Sequence, residues 1–255
     1  MALPASLARA DGTPVISAWS SIPEPLIAEL YAQTSVDAVT FDMQHGLFGV
    51  ESAMRCIGAV KRLGTPTIVR TPVGDWSNVS RCLDFGADAI IAPMINNVSD
   101  AEAFAAAAKY PPLGARSYGP TRAVNLNKGA TSVTYRQGAN TATQTIAMIE
   151  TAEAVENLAT SASTDGIDAL FVGPADLSLS LSNGAELVPF GENSIGAIHE
   201  VARAAKDNGK WAAIYCYGPE DAVRAAEMGF EFIALGNDTA YVANGLDAMA
   251  VAARG

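Results

Sequence analysis

The chain has 255 residues, 49% of them hydrophobic and 17% charged, so it carries ample apolar material for a core and is not a disordered chain. Sixteen Lys and Arg against 27 Asp and Glu give a net charge of −11, which a phosphate backbone repels, so nucleic acid is not expected as a partner. Cys56, Cys82 and Cys216 lack the paired spacing of zinc sites, which predicts reduced thiols in a cytoplasm. The N-terminal MALPASLARADGTP has no signal-peptide apolar stretch, and no run of about 18 apolar residues predicts a membrane span.

Eight short apolar or β-branched runs recur along the chain: 15–19, 38–42, 67–70, 89–92, 145–149, 169–172, 212–215 and 232–235. Each is followed, directly or after a loop, by an Ala-rich segment of helical period: 25–33, 52–63, 78–85, 100–109, 152–162, 195–208, 219–228 and 241–253. Gly64, Gly86, Gly209 and Gly229 stand where helix C-caps belong. Eight strand-helix units in this length predict an α/β fold, a closed (β/α)8 TIM barrel filling 1–255 as one domain. A doubly wound sheet would carry a glycine-rich fingerprint after its first strand, and none is present. The Pro-, Gly-, Asn- and Thr-rich stretch at about 110–144 predicts a long loop over the barrel mouth, with a short helix near 133–138.

Barrel enzymes place their chemistry at strand C-terminal ends, so the polar residues after each run are the candidates. Strand two ends in Asp42-Met43-Gln44-His45-Gly46, strand three in Arg70, strand five in Glu150, and strand six in Gly173-Pro174-Ala175-Asp176. Glu150 and Asp176 fall one unit apart, on neighbouring strands. Such a pair either shares a hard divalent cation such as Mg2+ or Mn2+, or resolves into a helix cap and an ion pair. Arg70 either faces the mouth or pairs with Asp42 or Glu150. His45 follows a strand end near Asp42, where a carboxylate could orient its ring; it is either an acid/base group or a surface residue. His199 falls within a helical stretch and reads as structural. None of the five lysines, Lys61, Lys109, Lys128, Lys206 and Lys210, stands at a strand's catalytic end, which disfavours imine chemistry.

Taken together, DMQHG at 42–46, VR at 69–70, LDFGADAIIAPM at 83–94, YPPLGARSYGP at 110–120, MIET at 148–151 and VGPADLS at 172–178 resemble the HpcH/HpaI aldolase family. The likeness runs over roughly residues 15–240. The resemblance implies a phosphoenolpyruvate/pyruvate-type barrel and a class II aldolase that cleaves 4-hydroxy-2-oxo acids to pyruvate or hydroxypyruvate plus an aldehyde, an activity of the kind used in aromatic catabolism. It also implies a divalent metal (Mg2+, Mn2+ or Co2+) on Glu150 and Asp176, an enolate-stabilising Arg70, and His45 as the proton-transfer group oriented by Asp42. Donor contacts fall to Trp19, Gln44 and the amides around Gly173, Pro174 and Ala175. Gln44 stands where some members carry glutamate, removing a negative charge near the metal's waters. Relatives of this kind form homohexamers, trimers of dimers, that exchange the last helix between subunits. Two rival readings are a CoA-thioester lyase of the citrate-lyase β type, which needs a basic patch, and a non-catalytic keto-acid-binding barrel. The aldehyde pocket is expected from residues 116–125 and the neighbours of Tyr215 and Tyr217.

Overall fold

The structure, a computed structural model, describes residues 7–255. Eight parallel strands close into one barrel in sequence order: β1 (Val15–Ser20), β2 (Ala38–Asp42), β3 (Thr67–Arg70), β4 (Ala89–Ala92), β5 (Gln144–Ile149), β6 (Ala169–Val172), β7 (Trp211–Cys216) and β8 (Phe232–Leu235). Val15 pairs with Phe232 across the β1–β8 seam, which closes the sheet and leaves no edge. Nearly every strand residue is buried, because a parallel barrel is covered by side chains inside and by helices outside. Inside, Trp19, Ile68, Ile91, Met148, Phe171, Trp211 and Phe232 fill the lumen. A second, larger apolar layer lies between sheet and helices, with Phe41, Ile57, Leu83, Phe104, Leu170 and Ile198 at its centre.

The outer ring is α1 (Pro25–Ala32), α2 (Val50–Arg62), α3 (Trp76–Phe85), α4 (Val98–Ala108), then α5 (Thr121–Leu126) and α6 (Ser132–Ala142), α7 (Ala152–Glu156), α8 (Leu158–Ser163), α9 (Pro174–Leu181), α10 (Glu192–Asp207), α11 (Pro219–Glu227) and α12 (Asp238–Arg254). Caps fix where several begin and end. Asp75 accepts the Asn78 amide ahead of α3, and Gly86, at φ 108, ends it in the left-handed conformation that a side chain would strain.

The stretch at 110–144, expected as a loop with a short helix near 133–138, has that helix as the longer α6, a full three turns, and adds α5, which was not expected. Its Thr131 and Thr134 form a capping box, a signal that polarity alone concealed. The helix expected at 152–162 is two, α7 and α8, because Asn157 turns the chain and its amide donates to the carbonyls of Asn96 and Glu153. α12 differs from the other long helices. Only Asp238 is buried, and Val242, Leu246 and Met249 are 62%, 66% and 73% exposed along one side. No helix among the described residues is long and apolar enough to cross a membrane.

Candidate active site

A cavity of about 340 Å3 opens at the C-terminal ends of the strands. Trp19, Asp42, His45, Arg70, Gly173, Pro174, Ala175 and Asp176 line it, so eight of the residues singled out from sequence meet in one place. Glu150 is 1% exposed, directly after β5, and Gln44 is half-buried in the β2–α2 loop.

Arg70 both pairs with Asp42 and lines the cavity, so the two alternatives left open by the sequence are realised together. Register places Asp42 opposite Arg70 on neighbouring strands. The guanidinium then engages the carboxylate as a fork, Nε to Oδ1 at 2.9 Å and Nη2 to Oδ2 at 2.7 Å. The indole of Trp19 donates to Asp42 Oδ2 at 3.3 Å and lies 4.8 Å from the guanidinium carbon. Burial alone would raise the Asp42 carboxyl, but Arg70 and the amides of Gln44 and His45 outweigh it and hold it below the usual carboxylate range. The result is a fixed positive group with its orientation set on two sides.

Glu150 is positioned by an unusual turn. After β4, Met94 adopts φ 55, and its N–H donates to Glu150 Oε1 at 2.8 Å. Across the β5–β6 pair, Gly173 lies over the carboxylate: a Cβ there would sit 2.5 Å from Glu150 Oε2. Burial, with the charge of Asp176 added, pushes the Glu150 carboxyl up to about 7. Asp176 is exposed in the first turn of α9, not on the strand itself, and makes no side-chain hydrogen bond among the described residues. Two carboxylates with free oxygens suit a hard cation that keeps most of its waters. No group of three or more His, Cys, Asp or Glu side chains that could cage a metal occurs among the described residues. The donor set therefore fits an oxygen-loving divalent ion and not a structural zinc.

Other expectations need correction. Asp42 meets the backbone N–H of His45 at 3.3 Å, and the imidazole makes no hydrogen bond among the described residues. Asp42 thus orients Arg70 and the loop rather than the ring, because the guanidinium fork occupies both of its oxygens. Of the three residues expected to offer amides, Gly173 already donates to Ile149 and Pro174 has no N–H. That leaves Ala175, with Asp176, as the unpaired first-turn donors of α9. Gln44 does not line the cavity, yet its Oε1 is buried without a partner among the described residues.

The aldehyde-side expectation divides. Tyr215 and Tyr217 line the cavity, ring edge to ring face at 5.0 Å. Residues 116–125 do not: Arg116 is buried on Asp84 and over the Tyr110 ring, and Arg122 lies in a separate groove on the barrel's flank. That groove, lined also by Lys61, Arg62, Arg81 and Lys128, is a basic patch the sequence did not disclose, and it shares no lining residue with the mouth. The buried Lys109, on Asp168, and the half-buried Lys210, on the carbonyls of Thr164 and Ile167, sit at the strands' N-terminal ends, away from where imine chemistry needs a lysine. Sequence reasoning missed Ser21, Met148 and Asn237 in the lining. Ser21 and Asn237 follow β1 and β8, so the strand-end rule applied to every run would have found them; Met148 is an apolar residue one place before the end of β5 and carries no such signal.

Residues 16–245 match the sequence profile of the HpcH/HpaI aldolase/citrate lyase family. A hydroxypyruvate/pyruvate aldolase of Rhizorhabdus wittichii is 38% identical over 232 residues, 90% of each chain. A 4-hydroxy-2-oxo-heptane-1,7-dioate aldolase of Klebsiella pneumoniae is 31% identical, covering 94% of this chain and 89% of that one. Among solved structures, an HpcH/HpaI aldolase/citrate lyase family protein of Burkholderia cenocepacia superposes with a TM-score of 0.85 at 25% identity, over 96% of both chains.

Proposed function

Because this chain belongs to the HpcH/HpaI aldolase/citrate lyase family, we propose that it is an aldolase that reversibly cleaves 4-hydroxy-2-oxo acids to pyruvate or hydroxypyruvate and an aldehyde. One observation carries the reading: a clamped Arg70 and Asp176 line a mouth cavity that holds no lysine in its lining, and the Glu150 carboxylate lies directly behind Gly173 in its wall. Glu150 and Asp176 hold a divalent ion, Mg2+, Mn2+ or Co2+. Once bound, that ion supplies Lewis-acid stabilisation of the charge that develops on the keto acid.

The chain's own groups do the rest. Arg70 faces the developing enolate oxygen with a charge already oriented by Asp42 and Trp19, so little reorganisation is needed as the bond breaks. His45, exposed at the rim, takes the proton of the C4 hydroxyl as the C3–C4 bond cleaves and returns one in the synthetic direction, a step typically worth ~10²- to 10⁴-fold. Ala175 and Asp176 offer helix N-terminal N–H groups to the donor's carboxylate. Gln44, whose Oε1 is buried without a partner among the described residues, would offer that oxygen to the bound donor. Tyr215 and Tyr217 form the aldehyde's wall.

We further read the chain as one barrel domain whose α12 is exchanged in a homohexamer, a trimer of dimers. The exposed apolar side of that helix supports an intersubunit contact. Three buried free thiols support a reducing cytoplasmic setting. The test is a panel assay. Metal-stripped protein is incubated with pyruvate or hydroxypyruvate and several aldehydes, with and without Mg2+, Mn2+ or Co2+. Aldol product should form only with metal, and borohydride should trap no adduct. Metal-independent turnover with a trapped imine would overturn the assignment.

A further inference from the structure

Strand β1 hydrogen-bonds to β8 through alternate residues. Val15, opposite Phe232, donates to Glu231 O at 2.9 Å, and Ser17 lies opposite Ala234. Continued by two residues, the ladder calls for Trp19 N–H to donate to Leu235 C=O. The pairing of Ala18 with Leu235 sets that rung at the end of the seam. The phenol hydroxyl of Tyr241, from the first turn of α12, bonds both of its groups, accepting from Trp19 N–H at 3.0 Å and donating to Leu235 C=O. A side chain thus clasps the last rung of the barrel's seam, at the catalytic end.

The turn that delivers this hydroxyl is itself fastened to the mouth. Asp238 is fully buried, and its Oδ2 accepts the backbone amides of Ser21 and Ile22, each at 2.6 Å, and the hydroxyl of Ser20. The Tyr241 ring lies against Gly236, where a Cβ would meet it at 2.8 Å, and packs edge-on with Tyr31. What the hydroxyl fixes is the backbone of Trp19. That residue's indole donates to Asp42, covers the Arg70 guanidinium, and meets Tyr215 edge to face at 5.3 Å.

We propose that Tyr241, delivered by the Asp238-anchored turn of α12, is a positioning residue that sets Trp19 and through it the orientation of Arg70. Its contribution to turnover rests on the reaction proposed above; its grip on Trp19 does not. In Tyr241→Phe the end of β1 loses the hydroxyl that holds Trp19 N–H and Leu235 C=O to α12, so the backbone of Trp19 is less tightly fixed. Loss of one such buried link predicts a kcat lower by about tenfold with donor KM changed by less than about twofold.

The decisive experiment is a double-mutant cycle in the full chain with Mn2+, using Tyr241→Phe, Trp19→Phe and the double variant. If Tyr241 acts through Trp19, its loss in the Trp19→Phe background costs less than about twofold. Fully multiplicative losses, or a Tyr241→Phe enzyme with wild-type kcat, overturn the proposal. A parallel cycle by near-ultraviolet circular dichroism, read in the long-wavelength band where only tryptophan absorbs, needs no catalysis: the difference caused by Tyr241→Phe should vanish there once Trp19 is Phe, and its persistence refutes the link. An inactive wild-type chain would sink the reaction while this spectroscopic cycle still decides the positioning. Asp238→Asn, which loosens the same turn, provides a second arm should Tyr241→Phe fail to fold, and it must show the same loss of additivity with Trp19→Phe.

Discussion

Asp42 is 2% exposed, and its carboxylate accepts from Arg70, from the Trp19 indole and from the Gln44 and His45 amides. Removing its main partner therefore strands a buried charge, a change that typically costs about 3–5 kcal/mol of stability. Arg70→Ala should lower both the melting temperature and kcat, the latter by about 10²-fold or more, while metal affinity in calorimetry changes by less than about threefold. Equal losses of turnover and metal binding would mean the arginine only props up the carboxylate pair. Arg70→Lys keeps the charge but not the fork, and should recover stability more than rate. At this scale the sequence disclosed identities but not partners. It named Asp42, His45 and Arg70, yet whether Asp42 served the ring or the guanidinium depended on which side chain reached it first across the β2–β3 pair. Period-two patterning carries no information about that competition.

The strands were the most legible elements, because burial on both faces makes a parallel barrel strand a short apolar run bounded by polar ends. β2, β3, β4, β6 and β8 begin and end where the runs do. Helices whose signals are hydroxyls and turns were harder. α9 was not foreseen, since GPADLS reads as a loop until its Pro is seen at the first helical position, where a missing N–H costs nothing. Its junction with β6 is the tightest point of the site. Gly173→Ala places a Cβ 2.5 Å from both Glu150 Oε2 and Met148 Cε, so the buried carboxylate or the turn must move. The variant should keep its far-ultraviolet spectrum, bind Mn2+ about tenfold more weakly and turn over more slowly; unchanged affinity in a metal titration would show that Glu150 does not hold the ion.

For the whole molecule, the eightfold alternation made the barrel readable, while charge distribution and assembly were not. A net charge of −11 gave no hint that five basic residues gather in one flank groove, because that gathering joins α2, α3 and α5 from distant parts of the chain. The same holds for α12, whose composition resembles any amphipathic helix but whose Val242, Leu246 and Met249 face outward. A Leu246→Asp, Met249→Asp double variant should sediment as a smaller species than the wild-type chain. An unchanged sedimentation coefficient would remove α12 from the subunit contact.

The bond between Trp19 and Tyr241 joins residues 222 apart. During synthesis the first strand, the arginine fork and both carboxylates leave the ribosome well before the residue that fastens the end of the seam to α12. A nascent chain that stops short of residue 241 therefore holds all the reactive groups while its mouth still lacks that fastening.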